Sequence, residues 1–231
     1  MSNRIPDGSN PNASTYPPRT ATAQTPTITT EIKNPEKPQS KTLLDEALYK
    51  PNNIIFLVDV SSSMKDTSKL KVMQHALHYL ISALRPIDKI TFITYADTVK
   101  IMQEALTGND KQILDKTVDK LKAKGLTKAN KAILFSLDVT LKHYIENGNN
   151  QIILATDGKF RFYPKDQALF ISKQVGKTVK LSTMAFGQEK EALKNLEEIA
   201  KIGKGNFIHI ISKQTANEQL LEEIKQNSLI R

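Results

Sequence analysis

From residue 51 onward the chain alternates short aliphatic or β-branched runs with longer segments whose apolar residues recur at helical spacing. Open, largely parallel sheets covered by helices read this way. Ile54-Ile55-Phe56-Leu57-Val58 is apolar without interruption, as a central strand buried on both faces requires, and it ends at Asp59. Leu70, Met73, Ala76, Leu77, Leu80, Ile81 and Leu84 then predict a helix that Pro86 stops. A second strand is expected over 89–95. Residues 99–102 follow so closely that only a tight turn fits, which makes the third strand antiparallel. A short helix over 110–121 leads to the loop 124–129, and Ile133, Leu134, Leu137, Leu141 and Ile145 mark the next helix. The remainder reads as a buried strand over 152–156 ending at Asp157-Gly158, a helix over 168–175, a strand over 179–186, a helix over 190–202 closed by Gly203, a strand over 207–211 and a helix over 216–227. The fold class is therefore α/β: a doubly wound, Rossmann-like open sheet of about six mostly parallel strands, one antiparallel edge strand, and helices on both faces. No internal repeat is visible.

The first fifty residues break this pattern. Seven of the ten prolines lie there, among Ser, Thr and Asn, with almost no aliphatic periodicity. Such a stretch buries too little apolar surface to offset its conformational entropy, so 1–45 is expected to be a disordered Pro/Ser/Thr-rich tail or linker and 51–231 the folded domain. Those fifty residues carry six basic and five acidic side chains, which leaves nearly all of the net charge of +9 on the folded part. The lysines there are mixed with glutamates over several helices, aromatic residues are sparse, and no nucleic-acid motif appears. The excess therefore reads as a solvated basic surface with no specific nucleic-acid partner. Cysteine is absent, which excludes disulfides and thiolate-ligated zinc. No run reaches the length of a transmembrane helix, and Met1 is followed by polar residues. Taken literally, the chain is soluble and cytoplasmic; an upstream signal outside this sequence would move it to the cell envelope or beyond.

Ligands of open α/β sheets bind beyond the carboxyl ends of the strands. Three segments meet that condition: Asp59-Val-Ser61-Ser-Ser63 after the first strand, Thr127 in the loop before a helix, and Asp157-Gly158 after the fourth strand. Every polar side chain among Asp59, Ser61, Ser63, Thr127 and Asp157 is an oxygen donor. Hard cations prefer that set, so Mg²⁺ is the expected ion, with Mn²⁺ or Ca²⁺ able to replace it. So few charged ligands leave a coordination position for an outside oxygen.

In order and placement, Asp59-x-Ser61-x-Ser63, Thr127 and Asp157-Gly158 resemble the metal-ion-dependent adhesion site of von Willebrand factor A and integrin I domains. The likeness covers essentially all of 51–231. It is closest to bacterial A-domain proteins, through Phe56-Leu-Val-Asp-Val-Ser-Ser-Ser-Met64, Leu84-Arg-Pro-Ile-Asp-Lys89, Ile153-Leu-Ala-Thr-Asp-Gly158 and Ala185-Phe-Gly187. The resemblance implies that Ser61, Ser63 and Thr127 coordinate the metal directly in the ligand-bound state, with Asp59 and Asp157 acting through waters. It also implies that a protein partner supplies a Glu or Asp carboxylate. Two departures stand out. Ser62 replaces a glycine common in relatives, and the loop Gly125-Leu-Thr-Lys128 keeps the threonine but changes its neighbours. Lys128, Lys131, Lys159 and Arg161 make the rim basic, which favours an acidic partner surface.

Each piece also has a plainer reading, as turn and cap chemistry. His75 and His78 lie three apart on the first helix, but without a third ligand they read as helix-surface residues. Phe160, Phe162 and Tyr163 form either an apolar contact beside the cation or a loop folded back on the core. No Gly-x-Gly-x-x-Gly, P-loop or Gly-x-Ser-x-Gly is present, so no enzyme is expected. The function read from the sequence is a cation-dependent protein-binding module of adhesion or assembly. The rival is a structural subunit that uses its helix faces while the metal only stabilises loops.

Overall fold

The computed structural model describes residues 43–65, 67–158 and 160–230. The expected 1–45 tail lies almost wholly outside them. Six strands form one sheet among the described residues: β1 Asn52–Asp59, β2 Lys89–Tyr95, β3 Val99–Thr107, β4 Asn149–Thr156, β5 Lys180–Ala185 and β6 Lys204–His209. Their order is β3-β2-β1-β4-β5-β6. All neighbours run parallel except β2 and β3, so the antiparallel edge strand is confirmed.

Among the described residues six α-helices cover the sheet: α1 Thr67–Ala83, α2 Lys111–Asp119, α3 Ala129–Lys142, α4 Pro164–Ser172, α5 Lys190–Ile202 and α6 Lys213–Ser228. Successive β1 side chains alternate between faces, which builds two cores from one apolar run. Ile54, Phe56 and Val58 pack with Leu77 of α1, Val118 of α2 and Ile224 of α6. Ile55 and Leu57 pack with Ile133 of α3, Phe170 of α4 and Leu196 of α5. The sheet is thus doubly wound, as expected.

Boundaries moved where tertiary contact overrides local pattern. Ile145 lies beyond the end of α3. The α4 helix occupies Pro164–Ser172 instead of 168–175, because Pro164 sits at its first turn, where a fixed φ and a missing N–H cost nothing. The β6 strand begins at Lys204 and ends at His209, three residues before its expected start and two before its expected end. Gly205 allows this: an added Cβ would overlap the Leu181 carbonyl of β5.

At the amino ends of the strands a buried polar ladder crosses the sheet. Arg85, 1% exposed, donates to both Asp88 carboxylate oxygens at 2.8–2.9 Å and to the Tyr49 and Lys50 carbonyls. Asp88 also accepts from the Asn52 backbone and side chain. Asn149 bridges Asn52 and Gln151, and Gln151 and Ser182 both donate to Glu223 of α6 at 2.5 Å. Buried polar groups persist where each finds a partner, and these bind α6 to β4 and β5.

The packed domain also starts earlier than residue 51. Leu44, inside the stretch assigned to the tail, is fully buried in the α1/α6 core, and Tyr49 forms an antiparallel bridge with Leu229. Leu44→Ala is expected to lower unfolding free energy by about 2–5 kcal/mol, as for other buried leucines. A urea midpoint unchanged from the wild type would show that this segment does not contribute to the core.

Candidate metal centre

The chain order reverses direction across the sheet between β1 and β4, the switch point at which open α/β sheets bind ligands beyond the carboxyl ends of the strands. Asp59 closes β1 there and Asp157 follows β4. Both are buried, at 0% and 2% exposure. Asp59 Oδ1 accepts from the Ser61 N–H at 2.8 Å, which folds the turn back on itself. Asp59 Oδ2 accepts from the Thr156 hydroxyl at 2.7 Å and the Tyr95 phenol at 3.3 Å. Ser61 and Ser63 place their hydroxyl oxygens 3.1 Å apart. Gly158, at φ 82°, turns the chain away after Asp157 in a conformation that suits glycine.

Thr127 belongs to a loop tied to the same turn. The Ser62 N–H donates to the Gly125 carbonyl at 2.9 Å and the Lys124 N–H to the Val60 carbonyl at 2.6 Å. The Lys128 N–H reaches the Ala96 carbonyl, and the Leu126 N–H reaches Asp97. Three separate segments are therefore held together around two carboxylates. Among the described residues the Thr127 hydroxyl makes no hydrogen bond to Ser61 or Ser63, and its loop is tied to their turn through the backbone.

Burial pushes the Asp59 carboxyl above its ordinary value, against the hydrogen bonds from Ser61 and Thr156, and the nearby Asp157 adds to the rise. Burial, then the Asp59 charge, pushes the Tyr95 phenol far up, so it remains a neutral donor. Asp157 Oδ1 is buried without a donor among the described residues. Two carboxylates close together and an orphaned oxygen make a site that is short of positive charge. Lys69 Nζ, 3.3 Å from Asp157 Oδ2, meets only part of that need. Among the described residues no three His, Asp or Glu side chains cluster as ligands, so the donor set is two carboxylates and hydroxyls. It fits a hard cation such as Mg²⁺ that retains waters.

Sequence reasoning passed over Lys69 and the Thr156 hydroxyl as site groups. Lys69 left one signal, a cation in the first turn of a helix, where the macrodipole disfavours it. The expected rim is partly present: Lys128, Lys131 and Arg161 are exposed, while Lys159 lies outside the described residues. The aromatic trio divides. Phe162 is buried and meets Phe170 edge to face with centroids 6.4 Å apart, whereas Tyr163 is 49% exposed. The histidines are apart as well: His78 lies between Asp115 and Asp119, and His75 meets Asn217.

The sequence profile of the von Willebrand factor type A domain matches residues 53–226. The chain belongs to the VWA domain family. It is 32% identical over 178 residues to protein YfbK of Escherichia coli strain K12, covering 76% of this chain and 31% of that protein. It is 26% identical over 189 residues to the voltage-dependent calcium channel subunit alpha-2/delta-3 of Rattus norvegicus, covering 77% and 17%. The chain thus spans about a third or less of the curated relatives it matches. Among solved structures, a von Willebrand factor type A protein from Catenulispora acidiphila superposes with a TM-score of 0.63 at 19% identity, covering 77% of this chain and 43% of that one. BatB from Bacteroides thetaiotaomicron gives 0.62 at 18%, covering 76% and 98%. These likenesses show the VWA fold. Among the described residues, no helix of the VWA domain is long and apolar enough to cross a membrane.

Proposed function

We propose that this VWA domain binds a protein partner through a hard divalent cation, Mg²⁺ in the cell, held by Asp59, Ser61, Ser63, Thr127 and Asp157 and completed by a partner's carboxylate. Its role is binding, with no catalytic step. The observation that carries this reading is the pair of buried carboxylates at the crevice between β1 and β4, one with an oxygen lacking any described donor. The bound ion supplies positive charge and an exchangeable coordination position; the chain's residues fix where that position points. Mn²⁺ calorimetry together with capture from native lysate in Mg²⁺ or EDTA tests the proposal. Partners that elute on chelation are expected, and capture indifferent to EDTA together with no Mn²⁺ binding would overturn it.

The surroundings indicate the partner's chemistry. A groove of about 480 Å³ runs from Thr127 past Lys128, Lys131, Arg161 and Tyr163, between the start of α3 and the loop before α4. Asn130 holds that loop through the Arg161 carbonyl at 2.8 Å. Cations beside an exposed tyrosine suit an acidic segment that carries an apolar residue. Reversing two charges, Lys131→Glu with Arg161→Glu, is expected to slow association with the captured partner about tenfold at low salt, and by less as salt rises. Surface plasmon resonance across a salt series measures this, with Mn²⁺ affinity as the control that the centre is intact.

A structural-subunit role has its own support in the exposed Leu169, Ile171 and Val175 around the end of α4. Partners that remain bound in EDTA and are lost with Ile171→Glu would favour it.

A further inference from the structure

Lys69 occupies the first turn of α1, a turn that holds no acidic side chain among the described residues. Its ammonium reaches across the crevice to 3.3 Å from Asp157 Oδ2 and 3.4 Å from the Ser63 carbonyl oxygen. Asp157 is 2% exposed at its side chain and Lys69 is 22% exposed. Both contacts exceed the roughly 2.7–2.9 Å of a tight ammonium–carboxylate bond, and Asp157 Oδ1 keeps no described donor. The lysine therefore touches two of the segments proposed to hold the ion while satisfying neither fully. A group so placed has a solvent-side exit, because its side chain is partly exposed.

We infer that Lys69 is an internal competitor for the cation: its ammonium holds Asp157 and the Ser63 turn together when no divalent ion is bound, and yields Asp157 when one arrives. The inference rests on the metal reading above and adds a positioning residue to it. Two consequences oppose each other and so separate this role from a merely structural one. Without divalent ions Lys69 stabilises the loops, because a buried carboxylate left unpaired is costly. With them it weakens affinity, because the ion must displace one positive charge and tolerate it nearby. Lys69 thus sets the ion concentration at which the centre fills, while the site loops keep their arrangement below that concentration.

The test is Mn²⁺ titration calorimetry and thermal unfolding on the full chain, comparing wild type with Lys69→Met, Lys69→Gln and Lys69→Arg. Both neutral variants are expected to bind Mn²⁺ about tenfold more tightly and to melt lower than wild type in EDTA, which enlarges their thermal shift on adding Mn²⁺. Lys69→Arg, which keeps the charge, should hold affinity near the wild-type value. Having two neutral variants guards against one that fails to fold. Neutral variants that bind Mn²⁺ as weakly as wild type, or more weakly, overturn the inference and leave the metal reading standing. Silence from wild type and all variants overturns the metal reading and the inference with it. Binding gained only by the neutral variants supports both.

Discussion

Asp59→Asn is expected to abolish divalent-cation binding and metal-dependent partner capture while leaving the metal-free domain at least as stable as the wild type. The first half follows from position. Asp59 is fully buried, anchors the Ser61 N–H, and contributes one of two carboxylates to the centre, so its charge has no nearby substitute. Loss of a carboxylate that holds the ion through water should weaken binding by about a hundredfold. The second half follows from its raised pKa, caused first by burial. A carboxyl that binds its proton more tightly in the native than in the unfolded state makes the native state pay for ionisation. That cost is fully present above the raised pKa, and it is relieved as pH falls through that value toward the unfolded value of 3.8. A neutral amide of the same shape removes the cost at neutral pH, and the Thr156 and Tyr95 hydroxyls can rotate to accept from it. Melting temperature in EDTA should therefore stay level or rise. Mn²⁺ at about a hundred times its Kd should stabilise the wild type by about 2.7 kcal/mol and the variant not at all. Acidification should weaken Mn²⁺ binding at a higher pH than an ordinary carboxylate would allow, because protons and ion compete for Asp59. Wild-type affinity in the variant would remove Asp59 from the centre.

Arg85→Ala should cost about 3–5 kcal/mol of unfolding free energy without changing Mn²⁺ affinity. Removing the guanidinium strands the buried Asp88 carboxylate and leaves the Tyr49 and Lys50 carbonyls without their side-chain donor. Lysine cannot replace it, since a single ammonium does not reproduce the fork that meets Asp88 with two nitrogens while two nitrogens face carbonyls. Urea unfolding should show a lower midpoint at unchanged slope. Pairing the change with Asp88→Leu should cost less than the sum of the two, because the stranded charge is then gone. A loss below about 1 kcal/mol would mean that this network contributes little.

Much of this architecture was readable along the chain because burial on both sides of β1 and β4 leaves uninterrupted apolar runs, the first ending at Asp59 and the second at Thr156, just before Asp157. Asp59, Ser61, Ser63 and Asp157 were legible for that reason: oxygen side chains at strand ends need only the chain order to be placed. What stayed hidden depends on contacts between distant residues. Lys69 meets Asp157 across 88 positions, and no local pattern announces such a meeting. The early start of β6 required knowing that Gly205 would face the Leu181 carbonyl. Leu44 was lost among prolines and hydroxyls, since one apolar side chain carries no periodicity. Phe162 and Tyr163 lie one residue apart and went opposite ways, because Phe170 of α4 offers a partner to only one of them.

The Tyr49–Leu229 bridge brings the two ends of the domain side by side, next to the amino ends of β1 and β4. Polypeptide arriving at Tyr49 and polypeptide departing after Leu229 would share one pole, and the crevice opens at the other. Spliced into a longer chain, the domain would stand like a bead on a hairpin stem. Tension along such a stem would load the buried Leu44 and the Tyr49–Leu229 clasp before it reached the carboxyl ends of the strands.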